Sequence, residues 1–335
     1  MSSALVTVSA VIPHWNRRAL LEPLFKSLRA QTRAFNEIIV VDNGSTDGSP
    51  ELAEQLGAQV VRLKRNLGFA AAVNRGVESS RADWIAILNN DVALQPDWLA
   101  TLLAALESPA YQSAWFATGK ILSAVDPSVL DGTFDEISRG ACASRCGSGK
   151  PDSPLWNQAR FIRLAPMTAA LFRRGLFDEI GLLDEAFESY LEDVDFGLRC
   201  AMNRRAGIYV PAAICQHRGS ATRGQWHKDT VRQISFNQVL LVAKHFGAQP
   251  LWPVVVGQLL WGLIAFRHGG AWAYLQGKFS GLRSARGIAT RHAWIPPDPH
   301  EFRSLLEASE KEILTIERQT GFSTYWRVYF WLLPR

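Results

Sequence analysis

Cysteine is scarce in this chain of 335 residues: there are four. Four cannot staple a chain of this size, so a disulfide scaffold is excluded. Cys142 and Cys146 have three residues between them, but no second Cys/His pair follows at zinc-ligand spacing. Reduced thiols in a cytoplasmic protein are expected rather than a zinc site. Long apolar runs are missing too. The best candidate, Leu251–Phe266, has sixteen residues, short of the ~20 that span a bilayer, and Pro253, Gly257 and Gln258 weaken it. Met1–Val8 lacks a basic region followed by a long apolar stretch, so no signal peptide is expected. Acid is absent between Asp229 and Asp298, where Arg232, Lys244, Arg267, Lys278, Arg283, Arg286 and Arg291 all fall. Six of the twelve tryptophans come after residue 245, so the tail differs in kind from what precedes it.

What is present is ordinary for a globular protein. Hydrophobic residues make up 47% and charged residues 20%, which excludes general disorder. The length allows about two domains. Thirty-six Lys+Arg against thirty-one Asp+Glu give a net charge of +5. That excess sits in an apolar, Trp-rich tail rather than on a groove-facing element, so nucleic acid is not an expected partner.

The first hundred residues alternate strand and helix signals. Leu5–Ile12, Glu37–Val41, Gln59–Leu63 and Trp84–Leu88 read as strands, the first stopped by Pro13. Arg17–Ala30, Pro50–Leu56, Phe69–Ser79 and Pro96–Leu106 read as helices. Continuous apolar strands alternating with helices predict a parallel sheet covered on both faces, with ligands beyond its carboxyl ends. The Gly-, Ser- and Asp-rich segment Leu122–Pro154 is expected to be a mobile or substrate-covering loop. Beyond it, Phe161–Leu164, Ala169–Phe172 and Ile208–Val210 read as strands, and Arg174–Ile180 and Glu192–Arg204 as helices.

Four segments could carry chemistry. Asp42-Asn43-Gly44-Ser45 ends a strand where a carboxylate could accept hydrogen bonds from a base or ribose, although these are also plain turn formers. Arg65-Asn66-Leu67-Gly68 opens an Ala-rich helix whose N–H groups could meet a phosphate, with Arg65 and Arg75 to supply charge. Asn66 as a helix cap explains the same segment. Asn89-Asn90-Asp91 ends another strand and suits a hard cation, or a capped turn. Glu192, Asp193 and Asp195 crowd one helical turn, which favours the helix dipole but exceeds what it needs. A general base is the sharper reading.

In this order the segments resemble the family-2 glycosyltransferases of the GT-A fold, nearest the bacterial rhamnosyltransferase branch, from Val6 to Gly219. The two runs that carry the resemblance are Val41-Asp42-Asn43-Gly44-Ser45-Thr46-Asp47-Gly48-Ser49 and Asn66-Leu67-Gly68-Phe69-Ala70-Ala71-Ala72-Val73-Asn74-Arg75-Gly76. The resemblance implies an α/β, Rossmann-like, mostly parallel sheet flanked by helices, with a mainly helical C-terminal extension. Residues 1–245 would be catalytic, and 246–335 a basic extension that meets a membrane or another subunit. Asp42 would read a pyrimidine, and Asn66 and Gly68 would shape the diphosphate site. Pro13, Asn43, Arg65, Asn74 and Asn90 would complete the nucleotide-sugar contacts. Asp91 matches the last position of the family's Asp-x-Asp metal motif, but Asn89 and Asn90 replace its first two positions. His217 resembles a second ligand to Mg²⁺ or Mn²⁺, and Asp193 the base of inverting members.

The implied activity is inverting, metal-dependent transfer of a sugar to a lipid-linked or growing cell-surface glycan, with L-rhamnose from its dTDP donor as the leading case. A UDP-galactose or UDP-N-acetylhexosamine donor is the alternative, and a catalytically silent nucleotide-sugar-binding module the other. The tail, with Leu251–Phe266, a charged amphipathic helix over Glu301–Gln319 and an aromatic end at Tyr325–Leu333, is expected to lie in the plane of the inner face of the cell membrane.

Overall fold

The computed structural model describes residues 6–219, 226–288 and 298–333. Its strands are β1 (Val8–His14), β2 (Glu37–Asp42), β3 (Gln59–Arg62), β4 (Trp84–Leu88), β5 (Val92–Leu94), β6 (Phe116–Ser123), β7 (Leu130–Gly132), β8 (Asp135–Ile137), β9 (Ala143–Arg145), β10 (Arg160–Ile162), β11 (Ala169–Arg173) and β12 (Gly207–His217). Its helices are α1 (Leu21–Arg29), α2 (Ser49–Gln55), α3 (Phe69–Ser79), α4 (Trp98–Glu107), α5 (Arg174–Ile180), α6 (Glu192–Met202), α7 (Lys228–His245), α8 (Leu251–Arg267), α9 (Ala271–Ile288), α10 (Pro299–Thr320) and α11 (Thr324–Leu332).

The chain forms two compact units. The first holds residues up to 134, 147–188 and 196–219; the second holds 135–146, 189–195 and the described residues after 219. The sheet of the first unit runs β10-β12-β6-β11-β4-β1-β2-β3. β4, β1, β2 and β3 pair in parallel, as continuous apolar strands buried on both faces should. β11 then enters antiparallel between β4 and β6. One face packs Ile12, Phe25, Leu88, Trp98 and Leu102 into the main core. On the other face, Ala72 of α3 meets Ile39 and Val41.

Three expectations need correction. Pro13 does not stop β1, which runs to His14. The His14 carbonyl accepts from Asn43 N–H on the β2 side, so Pro13 turns toward β4, where pairing has already ended at Val11. Its missing donor is therefore not needed. Leu122–Pro154 is not an irregular loop, because it carries β7, β8 and β9. Strands of three residues are too short to show a period of two. The strand expected at Ile208–Val210 continues to His217 through an irregularity between Val210 and Ile214.

In the second unit β8 and β9 form a hairpin held to α10. Ser309 donates to Glu136 at 2.5 Å and accepts from Ile137 N–H at 2.7 Å. The buried Glu310 carboxylate takes Arg139 Nε at 2.8 Å and Tyr329 OH at 2.5 Å. The aromatic end thus packs largely inward, with Tyr329 fully buried and Trp331 exposed. Among the described residues no helix is long and apolar enough to cross a membrane. Arg291 and Trp294 of the acid-free stretch lie outside the described residues.

The β12 irregularity presses on Gly119 of β6, where an added Cβ would stand 1.8 Å from the Ala213 carbonyl oxygen. Gly119→Ala should cost about 1–3 kcal/mol in urea unfolding, because backbone must move. Gly175→Ala, in open space on α5, should cost nothing and serves as the control. Equal stabilities of the two variants would contradict the packing described.

Candidate functional site

The carboxyl ends of the parallel strands bring the first-unit candidates together. β5 pairs antiparallel with β12, His217 opposite Val92, which sets Asp91 beside His217. His217 Nε2 lies 3.1 Å from Asp91 Oδ1, with the Asn89 amide at 3.5 Å. On its other side His217 Nδ1 lies 3.0 Å from Asp131 Oδ2, brought there by the β6–β7 hairpin. Burial opposes charge on this imidazole, but the hydrogen bonds and charges of Asp131 and Asp91 outweigh it and push the pKa up to about 9. At neutral pH His217 is a cation held between two carboxylates.

A second histidine is treated in the opposite way. His14, at the end of β1, is buried, and burial lowers its pKa to about 4 against the opposing charges of Asp47 and Asp42. Its Nδ1 meets the Asn90 amide at 3.0 Å, and its buried Nε2 has no partner among the described residues. Asp42 ends β2, buried, with both carboxylate oxygens 3.2 Å from Ser45 N–H. Asn90 thus bonds at the end of β1, where Pro13 and His14 stand opposite Val41 and Asp42 of β2, while Asp91 and His217 form a second hydrogen-bonded group with Asp131.

Asn43 joins the end of β1 to the start of α3. Its amide donates to the Gly68 carbonyl at 2.9 Å and accepts from Leu67 N–H at 2.8 Å. Asn66 accepts from Gly68 N–H at 2.9 Å, as a turn-forming Asn does. Gly68 has φ +91°, and a Cβ there would meet the Glu188 backbone at 2.7 Å, so only glycine fits. Arg65 is exposed beside Gly44. Asn74 is used differently: it is buried and bonded to both backbone groups of Leu183 at 2.9–3.0 Å and to Glu185 at 3.0 Å. Its amide braces the chain before α6 and leaves little for a ligand.

Asp193 belongs to the second unit. Tyr190 and Leu191 enter α6 in the left-handed region at φ 71° and 66°, conformations that need support from outside. α7 supplies it. Asn237 donates to the carbonyls of Ser189 and Tyr190 at 2.8 and 2.6 Å. His245 Nε2 and Lys244 Nζ reach the fully buried Asp195 Oδ1 at 2.8 and 2.9 Å. Glu192 is buried, and burial together with the neighbouring Asp193 charge raises its pKa well above the usual range. Asp193 alone of the three keeps appreciable solvent access, at 15%, with Arg145 Nη2 3.9 Å away. Sequence reading missed His14, Asp131, Asn237 and His245. No local pattern marks them, because each matters through a contact distant in the chain.

Asp91 and His217 suit a divalent cation by donor type, a hard oxygen and an imidazole nitrogen, provided the cation displaces the Nε2 proton of His217. Among the described residues no group of three His, Cys, Asp or Glu could hold a cation alone. A cation here would be completed by ligand oxygens and water, as Mg²⁺ usually is.

Comparison with known proteins gives the family and the fold. Residues 9–181 match the model of the glycosyl transferase family 2. An N-acetylglucosaminyl-diphospho-decaprenol L-rhamnosyltransferase of Mycobacterium tuberculosis is 30% identical over 232 residues, 61% of this chain and 74% of that protein. An undecaprenyl-phosphate 4-deoxy-4-formamido-L-arabinose transferase of Pseudomonas paraeruginosa is 39% identical over 105 residues, 29% of this chain and 31% of that one. Among solved structures, GalNAc-T7 with UDP, GalNAc and Mn²⁺ superposes with a TM-score of 0.64 at 15% identity, over 96% of this chain and 59% of that one. The Pyrobaculum calidifontis mannosyltransferase PcManGT with GDP-Man and Mn²⁺ gives 0.54 at 17%, over 98% and 86%. These likenesses give the GT-A fold, and the matched model covers more than half of the sequence. The chain is a glycosyltransferase and belongs to glycosyl transferase family 2.

Proposed function

We propose that this glycosyltransferase moves a sugar from a nucleotide donor, with inversion, to a lipid-linked or growing cell-surface glycan. L-rhamnose from a dTDP donor is the preferred case, since the relative with 30% identity is named for rhamnosyl transfer to a decaprenol-linked acceptor. The observation that carries the reading is the contact of Asp91 with His217 at the strand ends. We keep the functional division at residue 245, with the extension peripheral to the inner face of the cell membrane.

In this reading Asp42 accepts from the pyrimidine, while Asn43, Asn66 and Gly68 shape the turn that receives the diphosphate. Pro13, Arg65 and Asn90 line the same nucleotide, and the structural bonds of Asn74 demote it to support. Asp91 and His217, the latter on losing its Nε2 proton, would hold Mg²⁺ or Mn²⁺, which would supply positive charge against that developing on the leaving diphosphate. Asp193 takes the proton of the acceptor hydroxyl as that oxygen bonds to the anomeric carbon and the bond to the diphosphate breaks. One displacement inverts the centre, so no second nucleophile is needed.

Asp193→Asn should lower turnover about 10²–10⁴-fold with nucleotide affinity unchanged. Asn237→Ala removes two bonds to the turn before Asp193, and should lower turnover about 10–10²-fold, again sparing nucleotide affinity. Turnover assays beside nucleotide titrations decide both; wild-type turnover in Asp193→Asn sinks the assignment.

Asp91→Ala and His217→Ala should weaken Mn²⁺-dependent binding of dTDP, Asp91 the more severely. Unchanged metal dependence in both would put the cation elsewhere. His217 also has a pH signature. Its folded pKa near 9 exceeds the ordinary imidazole value of 6.5, so its stabilisation is full below pH 6.5 and is lost as pH rises through 9. Melting temperature in chelator should fall across that window, and His217→Gln should flatten the fall.

A further inference from the structure

In α8 and α9 the usual polarity of surface helices is reversed. Trp252, Leu259, Leu263 and Phe266 of α8 are each 60–70% exposed. At 3.6 residues per turn they fall within an arc of about 60°. On α9, Trp272, Phe279 and Leu282 are exposed to the same degree, again on one face. The opposite face of α9 cannot turn outward. It is a seam of Ala273, Gly277 and Gly281 pressed on α7, where a Cβ at Gly277 would stand 2.3 Å from the Arg232 carbonyl oxygen. The two helices form a hairpin joined through Gly269 and Gly270. It is pinned by Tyr274 OH to the Gln258 carbonyl at 3.0 Å and by Lys278 to Gln238 at 2.7 Å and to Gln258.

The charges decide what covers this face. Neither helix contains an acid, and Arg267 and Arg283 are exposed on them. A second copy docked through the same patch would bring these arginines toward their own equivalents. An anionic surface complements them instead, and Trp on an apolar face is suited to the headgroup layer.

We propose that the outward face of α8 and α9 docks in the plane of an anionic lipid bilayer. The inference rests on the proposed action on a lipid-borne acceptor, and it names the surface that does the docking. It also alters the expected balance of forces. Of the basic residues in the acid-free stretch, Lys244 is engaged with Asp195, Lys278 is turned inward, and Arg232 pairs with Asp229 at 3.1 Å. Apolar burial, not the lysines and arginines, supplies most of the attachment.

The test is co-sedimentation of the full chain with vesicles of phosphatidylglycerol and phosphatidylethanolamine, and with phosphatidylcholine vesicles, at low and high salt. Binding to the anionic vesicles should survive high salt in large part. A Leu259→Glu/Leu263→Glu double variant should lose at least tenfold in partitioning, with its melting temperature unchanged because both side chains are exposed. Arg267→Ser should cost about fivefold, on anionic vesicles alone. A chain that stays in the supernatant with both vesicle types overturns the proposal. So does a double variant that binds as wild type, or one that turns a dimer into a monomer while vesicles bind neither form. Titration with dTDP in vesicle-free buffer separates the two readings. Nucleotide binding without vesicle binding sinks the docking surface alone; vesicle binding without nucleotide binding sinks the donor assignment alone.

Discussion

An imidazolium clasped between two carboxylates organises the first unit. His217 closes β12, Asp91 follows β4, and Asp131 lies in β7, so one side chain fastens the ends of three strands. The charges do not cancel: one cation faces two anions and leaves a negative charge over. A buried ion with its partner removed is costly. The strand ends are therefore held together by the same groups that the proposed function assigns to a cation. The replacement of two motif carboxylates by Asn89 and Asn90 fits this balance. Asn90 instead satisfies the neutral His14, and Asn89 approaches His217 without adding a third negative charge.

Crowded acids in the second unit are handled by sorting them. Three carboxylates in the first turn of α6 cannot all be ionised and unpaired. Burial and the Asp193 charge raise the pKa of Glu192. Asp195 is neutralised by Lys244 and His245 from α7. That leaves Asp193 as the acid of the three with access to solvent, with Arg145 Nη2 3.9 Å away. Of the three acids, Asp193, expected as the base by family likeness, is the one left open to solvent.

The legible parts of the sequence were those with local signals. Phe69–Ser79, Trp84–Leu88 and Arg174–Ile180 follow directly from apolar spacing and their flanking residues. The boundaries of the other early elements lie within a few residues of their patterns. What escaped was non-local. The β8–β9 hairpin, three residues a strand, is held by Ser309 far along the chain, and β7 is too short to show an alternation. Asp131 reads as part of a Gly- and Ser-rich loop until the β6–β7 hairpin carries it to His217. Asn74 carries the family pattern, yet its amide is spent on Leu183, which no pattern of spacing reveals.

The same distinction explains the tail. Its lack of acid suggested a basic surface, but charge counted along a chain is not charge on a face. Lys244 is the counter-ion of Asp195, and Lys278 is buried, its pKa lowered by burial to about 8. The acids that balance this region lie outside it, Asp195 on α6 for Lys244 and Asp229 at the start of α7 for Arg232. The helix surface left over on α8 and α9 is accordingly apolar rather than basic. Composition alone could count the tryptophans and leucines there, but only the glycine seam of α9 determines that they face outward.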